Sequence, residues 1–167
     1  QSSSQAADPT RLLSSIMRLK AQGIEPHDLR EGPGVSACLI YAYARYSDIM
    51  EADNCFDMLD FLVIATRALS ANSEAADVAR AALRAKHTHI LVDEFQDTNA
   101  LQLGLLQLLA PPNGAPSDST EAGVPGGSIT VVGDDDQGIY GFQGAFGSFR
   151  PFEAVYPNFQ RVCLEVN

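Results

Sequence analysis

Residues 89–99 read HILVDEFQDTN, a short apolar run that ends in two adjacent carboxylates. Such a run predicts a buried strand with its functional groups at the carboxyl end. Residues 128–136, SITVVGDDD, repeat the arrangement, and a leucine-rich stretch over residues 101–109 predicts a helix between the two strands. Strand, helix and strand with acids at the carboxyl ends predict an α/β fold with a parallel sheet and a ligand site at the strand tips.

The flanking segments extend this unit on both sides. Residues 8–86 carry apolar residues at helical spacing and predict an all-helical region. Capping residues and helix-ending residues predict four helices in this region. The first begins at Asp8-Pro9 and ends at Gly23, and the second covers residues 39–50. The third is capped by Asp53 or Asn54, and the fourth begins at Asn72 or Ser73 and ends at Lys86. Beyond the central helix, we predict a flexible Pro-, Gly- and Ser-rich loop over 111–127, a helix over 148–156 and a third strand over 161–166.

Composition restricts the class of function. The chain of 167 residues has a net charge of −10, which by itself argues against nucleic-acid binding because phosphates require Lys and Arg. No apolar run approaches the ~18 residues of a membrane span. The three scattered cysteines lack metal spacing, so they predict buried thiols rather than a zinc site. The chain begins with Gln1, and we expect it to be part of a longer protein.

The adjacent acids Asp93 and Glu94 are the first candidate site. Mg²⁺ prefers one or two carboxylates together with phosphate oxygens and water. In phosphoryl transfer, an acid at a strand end holds the metal and a neighbouring group orients the attacking water. Two acids can divide this work if the strand ends there and the chain turns. The alternative is a strand end with solvated acids.

Residues 131–145, VVGDDDQGIYGFQGA, form the second and more specific candidate. Gln137 offers amide donors and an acceptor, which suits contact with a phosphate and a water together. Tyr140 and Phe142 alternate with small residues, so both rings could face one way and stack on bases. The alternatives are an ordinary acidic turn over 134–136 and aromatic side chains buried in the core. A calcium loop is discounted because the spacing of its ligands is missing.

Taken together, residues 90–99 and 131–145 resemble motifs II and III of the UvrD/Rep/PcrA group of superfamily 1 DNA helicases. Residues 54–62, NCFDMLDFL, resemble a degraded form of that group's N-A-L-D-F-D-D-L-L segment, and residues 164–167 resemble the opening of its motif IV. The resemblance implies a helical 1B-like subdomain over 1–86. It implies that 87–167 are the C-terminal part of a RecA-like 1A ATPase domain of the P-loop NTPase type.

The resemblance also implies an activity: ATP hydrolysis coupled to 3′→5′ movement along single-stranded DNA and to duplex unwinding. ATP and Mg²⁺ would be the cofactors. Single-stranded and duplex DNA and the remaining helicase domains would be the partners, with no membrane. The location would be intracellular, in a nucleus or a bacterial cytoplasm.

Individual roles follow from the same resemblance. Asp93 would hold Mg²⁺, Glu94 would be the general base, Gln96 would support the site, and Gln137 would contact the γ-phosphate. Tyr140 and Phe142 would stack on bases of the DNA.

This chain departs from the group at several positions. The group more often has Ser at position 138 and Arg at position 143, within its DNA-binding surface, where this chain has Gly138 and Gln143. The loss of that Arg removes a cation from the DNA surface.

Several expectations remain open at this point. No GxxxxGK[ST] loop occurs in the 167 residues, so we expect the isolated chain to bind ATP poorly and to hydrolyse none. A non-catalytic interaction protein derived from a helicase is the runner-up. A component of a helicase–nuclease shares the same motifs, and a metal-dependent phosphatase that uses residues 134–136 is a distant alternative.

Overall fold

The computed structural model describes residues 8–112 and 128–164. Their helices and strands are α1 Pro9–Ala21, α2 Ala37–Ala52, α3 Met58–Ser70, α4 Glu74–Lys86, β1 His89–Val92, α5 Ala100–Leu109, β2 Ser128–Val131 and α6 Arg150–Val155. Short 3-10 turns lie at Pro26–Asp28, Phe95–Asp97, Asp135–Gln137 and Tyr140–Gln143. Most of the predicted loop 111–127 lies outside the described residues, so its flexibility stays a prediction.

Local side-chain chemistry sets the helix starts. Asp8 caps α1 by accepting from the backbone N–H of Thr10, and Ser73 caps α4, as the sequence predicts. The predicted cap of α3 at Asp53 or Asn54 is wrong, because Asp53 ends α2 and Asp57 begins α3. Asp57 accepts from two backbone N–H groups of the first turn, and the Asp60 carboxylate accepts from the N–H of Asp57 in return.

The two strands pair in parallel, with Ile90 opposite Ile129 and Val92 opposite Val131, which confirms the predicted topology. The prediction of a buried strand is wrong for one face, because Leu91 is 80% exposed. Side chains alternate across a strand, and in the described sheet of two strands only one face is covered. Because the two strands run in parallel, the acids that follow their carboxyl ends lie at the same edge of the sheet.

Two hydrophobic clusters hold the fold. The helical cluster is formed by Ile16, Leu19, Leu29, Leu39 and Tyr43, and the sheet cluster by Phe95, Leu103, Phe152 and Tyr156. The helices before residue 87 contact the segment after it, since α3 and α4 pack against α5. The division into a helical 1B-like subdomain and an ATPase segment at residue 86 stays a prediction.

Two further predictions about side chains and strands are wrong. The three cysteines are exposed rather than buried, because they lie on outward-facing positions. Residues 161–164 form no strand, and Val162 and Leu164 are 82% and 91% exposed. Within the described residues no strand lies beside them, and a segment without a pairing partner has no ladder to join. Helix α6 confirms the predicted helix over 148–156.

A buried ion-pair cluster joins α1 to α3. Lys20 is 7% exposed, and its Nζ lies 2.6 Å from Asp57 Oδ2 and 2.6 Å from Asp60 Oδ1. The Tyr46 hydroxyl from α2 donates to Asp57 Oδ2 at 2.6 Å. Burial alone would raise the pKa of Asp57, but the hydrogen bonds from Lys20 and Tyr46 outweigh it and hold the pKa below its usual value.

Replacement of Lys20 by Met leaves two carboxylates in this cluster without their cation. We expect the free energy of unfolding to fall by roughly 3 kcal/mol, because a broken buried pair leaves uncompensated charge. Urea unfolding followed by circular dichroism measures this. Arg11→Met on the same helix is the control, since that side chain is 89% exposed and its surface pair contributes little. Equal losses in the two variants would contradict the role of the cluster.

Candidate active site

The first acids stand where β1 ends and the chain turns sharply. Glu94 has φ 51° and ψ 47°, the left-handed region that a residue with a side chain enters at a cost of about 1–2 kcal/mol. The turn is fixed by β2, because Phe95 N donates to Val132 O at 2.9 Å and Val132 N donates to Val92 O at 2.8 Å. A strained residue that its surroundings hold in place is a common feature of functional sites.

This turn brings both acids to one cavity. Asp93 and Glu94 line a cavity of about 350 Å³ together with Asp97, Thr98 and Gln102. Both acids are exposed, so a ligand in the cavity can reach them from solvent. The chain turn therefore places the two acids on one cavity, and their roles in metal binding and catalysis stay predictions.

Asp97 lies on the same cavity and carries a buried oxygen, Oδ1, that has no hydrogen-bond partner within the described residues. The same part of the chain holds no cluster of three or more His, Cys, Asp or Glu side chains suited to a metal. The carboxylates on the cavity come from a single turn of the chain. Phosphate or water oxygens would be needed to complete the coordination shell of a Mg²⁺ ion held there.

Gln96 connects the two strand tips. Its side chain is 2% exposed, its Nε2 donates to Glu94 Oε2 at 2.6 Å, and its Oε1 accepts from the backbone N–H of Asp134 at 3.1 Å. A Cβ added to Gly133 would lie 2.2 Å from Gln96 Oε1, so a larger residue there would displace the Gln96 side chain. One amide thus sets the position of the Glu94 carboxylate and of the segment that follows β2.

Asp134 is hydrogen-bonded in turn to Gln137. Gln137 Nε2 donates to Asp134 Oδ2 at 2.8 Å, and the N–H of Asp136 donates to Asp134 Oδ1 at 2.9 Å. The hydrogen bond from Gln137, with a smaller contribution from Asp136, holds the pKa of Asp134 below its usual value. A continuous path therefore runs from Glu94 through Gln96 and Asp134 to Gln137. Gln137 itself is exposed and does not line the cavity of Asp93 and Glu94.

The 3-10 turn Tyr140–Gln143, here called the Tyr140 turn, carries the candidate DNA residues. The prediction that the rings of Tyr140 and Phe142 face one way stays a prediction, because only the first of these two side chains is described. Tyr140 is 42% exposed. The side chains of Phe142 and Gln143 lie outside those that the structure describes, so their roles stay predictions.

Backbone hydrogen bonds tie the segment after the Tyr140 turn to the segment after the acids. Gly147 N donates to Gln96 O at 2.8 Å, and Phe146 N donates to Thr98 O at 2.9 Å. Phe95 is fully buried beneath this junction and stacks on Phe149 at a ring-centroid distance of 5.6 Å. The two candidate segments are therefore joined by backbone hydrogen bonds above a shared aromatic contact.

Sequence reasoning missed three contributors: Gly133, Asp134 and Asp97. Gly133 follows directly after the apolar run that ends at Val132 and precedes an acid, which is a signal for close backbone approach. Asp134 has Asp136 two residues on, the spacing of a side chain that accepts from the backbone. Nothing in the sequence alone shows that Asp97 shares a cavity with Asp93 and Glu94.

Fold and site together define an α/β protein with a candidate ligand site at the tips of parallel strands. The comparison with known families is more specific. The chain belongs to the UvrD/REP helicase N-terminal domain family, whose model matches residues 1–153.

Individual relatives agree with this assignment. The chain is 33% identical to the ATP-dependent DNA helicase UvrD1 of Mycobacterium tuberculosis strain H37Rv over 95% of its own length and 20% of that protein. It is 33% identical to the ATP-dependent DNA helicase SRS2 of Saccharomyces cerevisiae over 82% of its length and 10% of that protein. An ATP-dependent helicase/nuclease component from Lactobacillus delbrueckii is 38% identical over 60% of the chain and 7% of that protein. The chain thus spans at most about a fifth of these relatives. In the described ranges 8–112 and 128–164, no helix has the length and apolar character to cross a membrane.

Proposed function

We propose that this chain is a segment of an ATP-dependent DNA helicase that moves 3′→5′ on single-stranded DNA. It carries the Mg²⁺-and-water part of the ATPase site and a DNA-contact turn. The observation that carries the proposal is the hydrogen-bonded path from Glu94 through Gln96 and Asp134 to Gln137. The names of UvrD1 and SRS2, both ATP-dependent DNA helicases, support the substrate and the energy source.

The proposed architecture assigns residues 87–167 to a RecA-like 1A ATPase domain and residues 1–86 to a helical 1B-like subdomain. The parallel pairing of β1 with β2 and the acids at their carboxyl ends support the first assignment. Further domains of the same protein would supply the loop that cradles the phosphates. The chain by itself contains no such loop, so we expect it to be inert toward ATP.

The carboxylates that line the cavity of Asp93 and Glu94 support a site for the Mg²⁺ of a magnesium–nucleotide complex. Bound Mg²⁺ would neutralise charge on the phosphates during transfer to water. Asp93, at the strand tip, would hold the ion. Glu94 would accept the proton of the attacking water on its carboxylate, and the hydrogen bond from Gln96 to Oε2 leaves Oε1 to face that water.

Gln137 would sense the γ-phosphate through its side-chain amide. In the structure this N–H donates to the ionised Asp134 carboxylate. A γ-phosphate oxygen offers the same donor a competing charged acceptor. If Gln137 exchanged its hydrogen bond to Asp134 for one to the phosphate, the segment after Gln137 would lose a restraint. The Tyr140 turn begins three residues later, and its residues Tyr140, Phe142 and Gln143 would contact DNA.

A second candidate is the helicase component of a helicase–nuclease. The 38% identity to the Lactobacillus delbrueckii protein over 60% of the chain favours it. Both candidates use the same ATPase chemistry and differ in strand cleavage. Magnesium-dependent degradation of DNA by the complete protein would decide for the second.

The proposal is tested by strand displacement with the complete protein that contains this chain. With ATP and Mg²⁺, we expect it to unwind a duplex that has a 3′ single-stranded tail, and to leave the same duplex with a 5′ tail intact. A non-hydrolysable ATP analogue is the control and should give no product. The absence of ATP-dependent displacement on both substrates would refute the helicase function. It would favour a non-catalytic interaction protein of helicase origin.

A further inference from the structure

Most of the chain's positive charge is used internally. Eight of the eleven Lys and Arg side chains bind a carboxylate or a backbone carbonyl: Arg11, Lys20, Arg30, Arg45, Arg67, Arg80, Arg84 and Arg161. Arg18, Lys86 and Arg150 have no hydrogen bond or ion pair within the described residues. The charge available for an external phosphate is therefore restricted to few places, although the chain as a whole is acidic.

Arg18 is the free cation that lies against the Tyr140 turn. Helix α1 packs on this turn, and Gly144 ends the turn at φ +90°. A Cβ added to Gly144 would lie 3.1 Å from Ala21 Cβ and 3.9 Å from Arg18 Cγ. The side chain of Arg18 is exposed, so its guanidinium reaches solvent beside the turn.

A cavity of about 590 Å³ lies between α1 and the turn. Tyr140 lines it together with Leu13, Ser14 and Met17 of α1, and Asp97, Asn99 and Gln102 contribute a polar part of the lining. Ser14 and Arg18 are four residues apart on the helix and therefore share a face. A partly exposed aromatic ring and an apolar wall thus line one cavity, and the unpaired cation of Arg18 lies beside it, next to Gly144 at the end of the turn. This is the combination by which single-stranded nucleic acid is bound, with rings for the bases and cations for the backbone.

We propose that Arg18 binds a backbone phosphate of the single strand that crosses the Tyr140 turn. The inference rests on the helicase function proposed above and adds a residue on α1 to its DNA surface. It also explains how a chain with a net charge of −10 can contact DNA, because local rather than net charge meets the phosphate.

The test compares Arg18→Gln with Lys86→Gln in the complete protein. Lys86 is also an exposed cation with no hydrogen bond or ion pair within the described residues, but it is the last residue of α4, three residues before β1 begins, and thus lies away from the carboxyl ends of the strands. Binding of a fluorescein-labelled oligo-dT is measured by anisotropy at a series of KCl concentrations. Each phosphate contact on a single strand contributes about 0.7 to the slope of log Kd against log salt. We expect Arg18→Gln to weaken binding several-fold and to lower the slope by about that amount, and Lys86→Gln to match wild type.

Arg18→Lys separates charge from mere packing, since it keeps the cation and should retain the wild-type slope. A wild-type slope in Arg18→Gln, or equal effects of Arg18→Gln and Lys86→Gln, would overturn the inference while the helicase function stands. The absence of any salt-dependent binding of oligo-dT by the wild-type protein would instead count against the proposed function itself.

Discussion

We expect that replacement of Glu94 by Gln in the complete protein abolishes ATP hydrolysis while binding to single-stranded DNA persists. We expect kcat to fall by about 10²–10⁴-fold, the usual contribution of a general base. Gln has nearly the shape of Glu and can still accept the hydrogen bond from Gln96, so the turn keeps its geometry. Its amide cannot take a proton from water. A steady-state ATPase assay with saturating oligo-dT measures the loss.

Asp136→Asn is the matched control for Glu94→Gln. It removes the same charge from a nearby exposed acid whose backbone N–H, rather than its carboxylate, makes the hydrogen bond to Asp134. We expect near wild-type turnover in this variant. Normal turnover in Glu94→Gln would show that the base is elsewhere, and a loss in both variants would show that the effect is one of net charge.

Replacement of Gly133 by Ala should nearly silence the ATPase without removing any functional group. The new methyl group would lie 2.2 Å from Gln96 Oε1 and 3.0 Å from the backbone nitrogen of Phe95. Gln96 must then move, and its bonds to Glu94 and to the N–H of Asp134 break together. A displacement of about 1 Å at a reacting group can cost on the order of 10²-fold in rate, and we expect a loss of kcat of that size.

Thermal unfolding separates this effect from global damage. Overpacking typically costs about 1–3 kcal/mol, so Gly133→Ala should remain folded at 25 °C but melt earlier. Gly104→Ala is the control, because an added Cβ at this position of α5 meets nothing within 4 Å and Ala favours helix. Wild-type ATPase in Gly133→Ala would mean that the Gln96 bridge is not needed.

The features that sequence predicted correctly are those that neighbouring residues determine. Asp8 and Ser73 cap their helices because their side chains reach backbone donors two or three residues on. The cap of α3 was predicted in the wrong place although the signal was present. Asp57 and Asp60 have the spacing of a reciprocal cap, whereas the residue three positions after Asp53 is Phe56, which cannot return the hydrogen bond.

Features that depend on distant segments were harder to predict. Leu91 belongs to an apolar run, yet its exposure depends on what covers the sheet, which the run itself does not encode. The strand predicted over 161–166 is absent from its described part, 161–164, for a similar reason, since a strand requires a neighbour to pair with. The hydrogen bond between Asp134 and Gln96 joins residues 38 positions apart in the sequence, and it forms only when the strands are side by side.

The central claim is that Asp93, Glu94 and Gln137 serve one nucleotide. A crystal structure of the complete protein with Mg²⁺ and a non-hydrolysable ATP analogue tests it most directly. We expect an Asp93 oxygen on the metal or one water away from it, Glu94 Oε1 facing the water in line with the γ-phosphate, and Gln137 Nε2 within hydrogen-bonding distance of a γ-phosphate oxygen. A nucleotide bound elsewhere, with none of these three side chains near its phosphates or metal, would contradict the account.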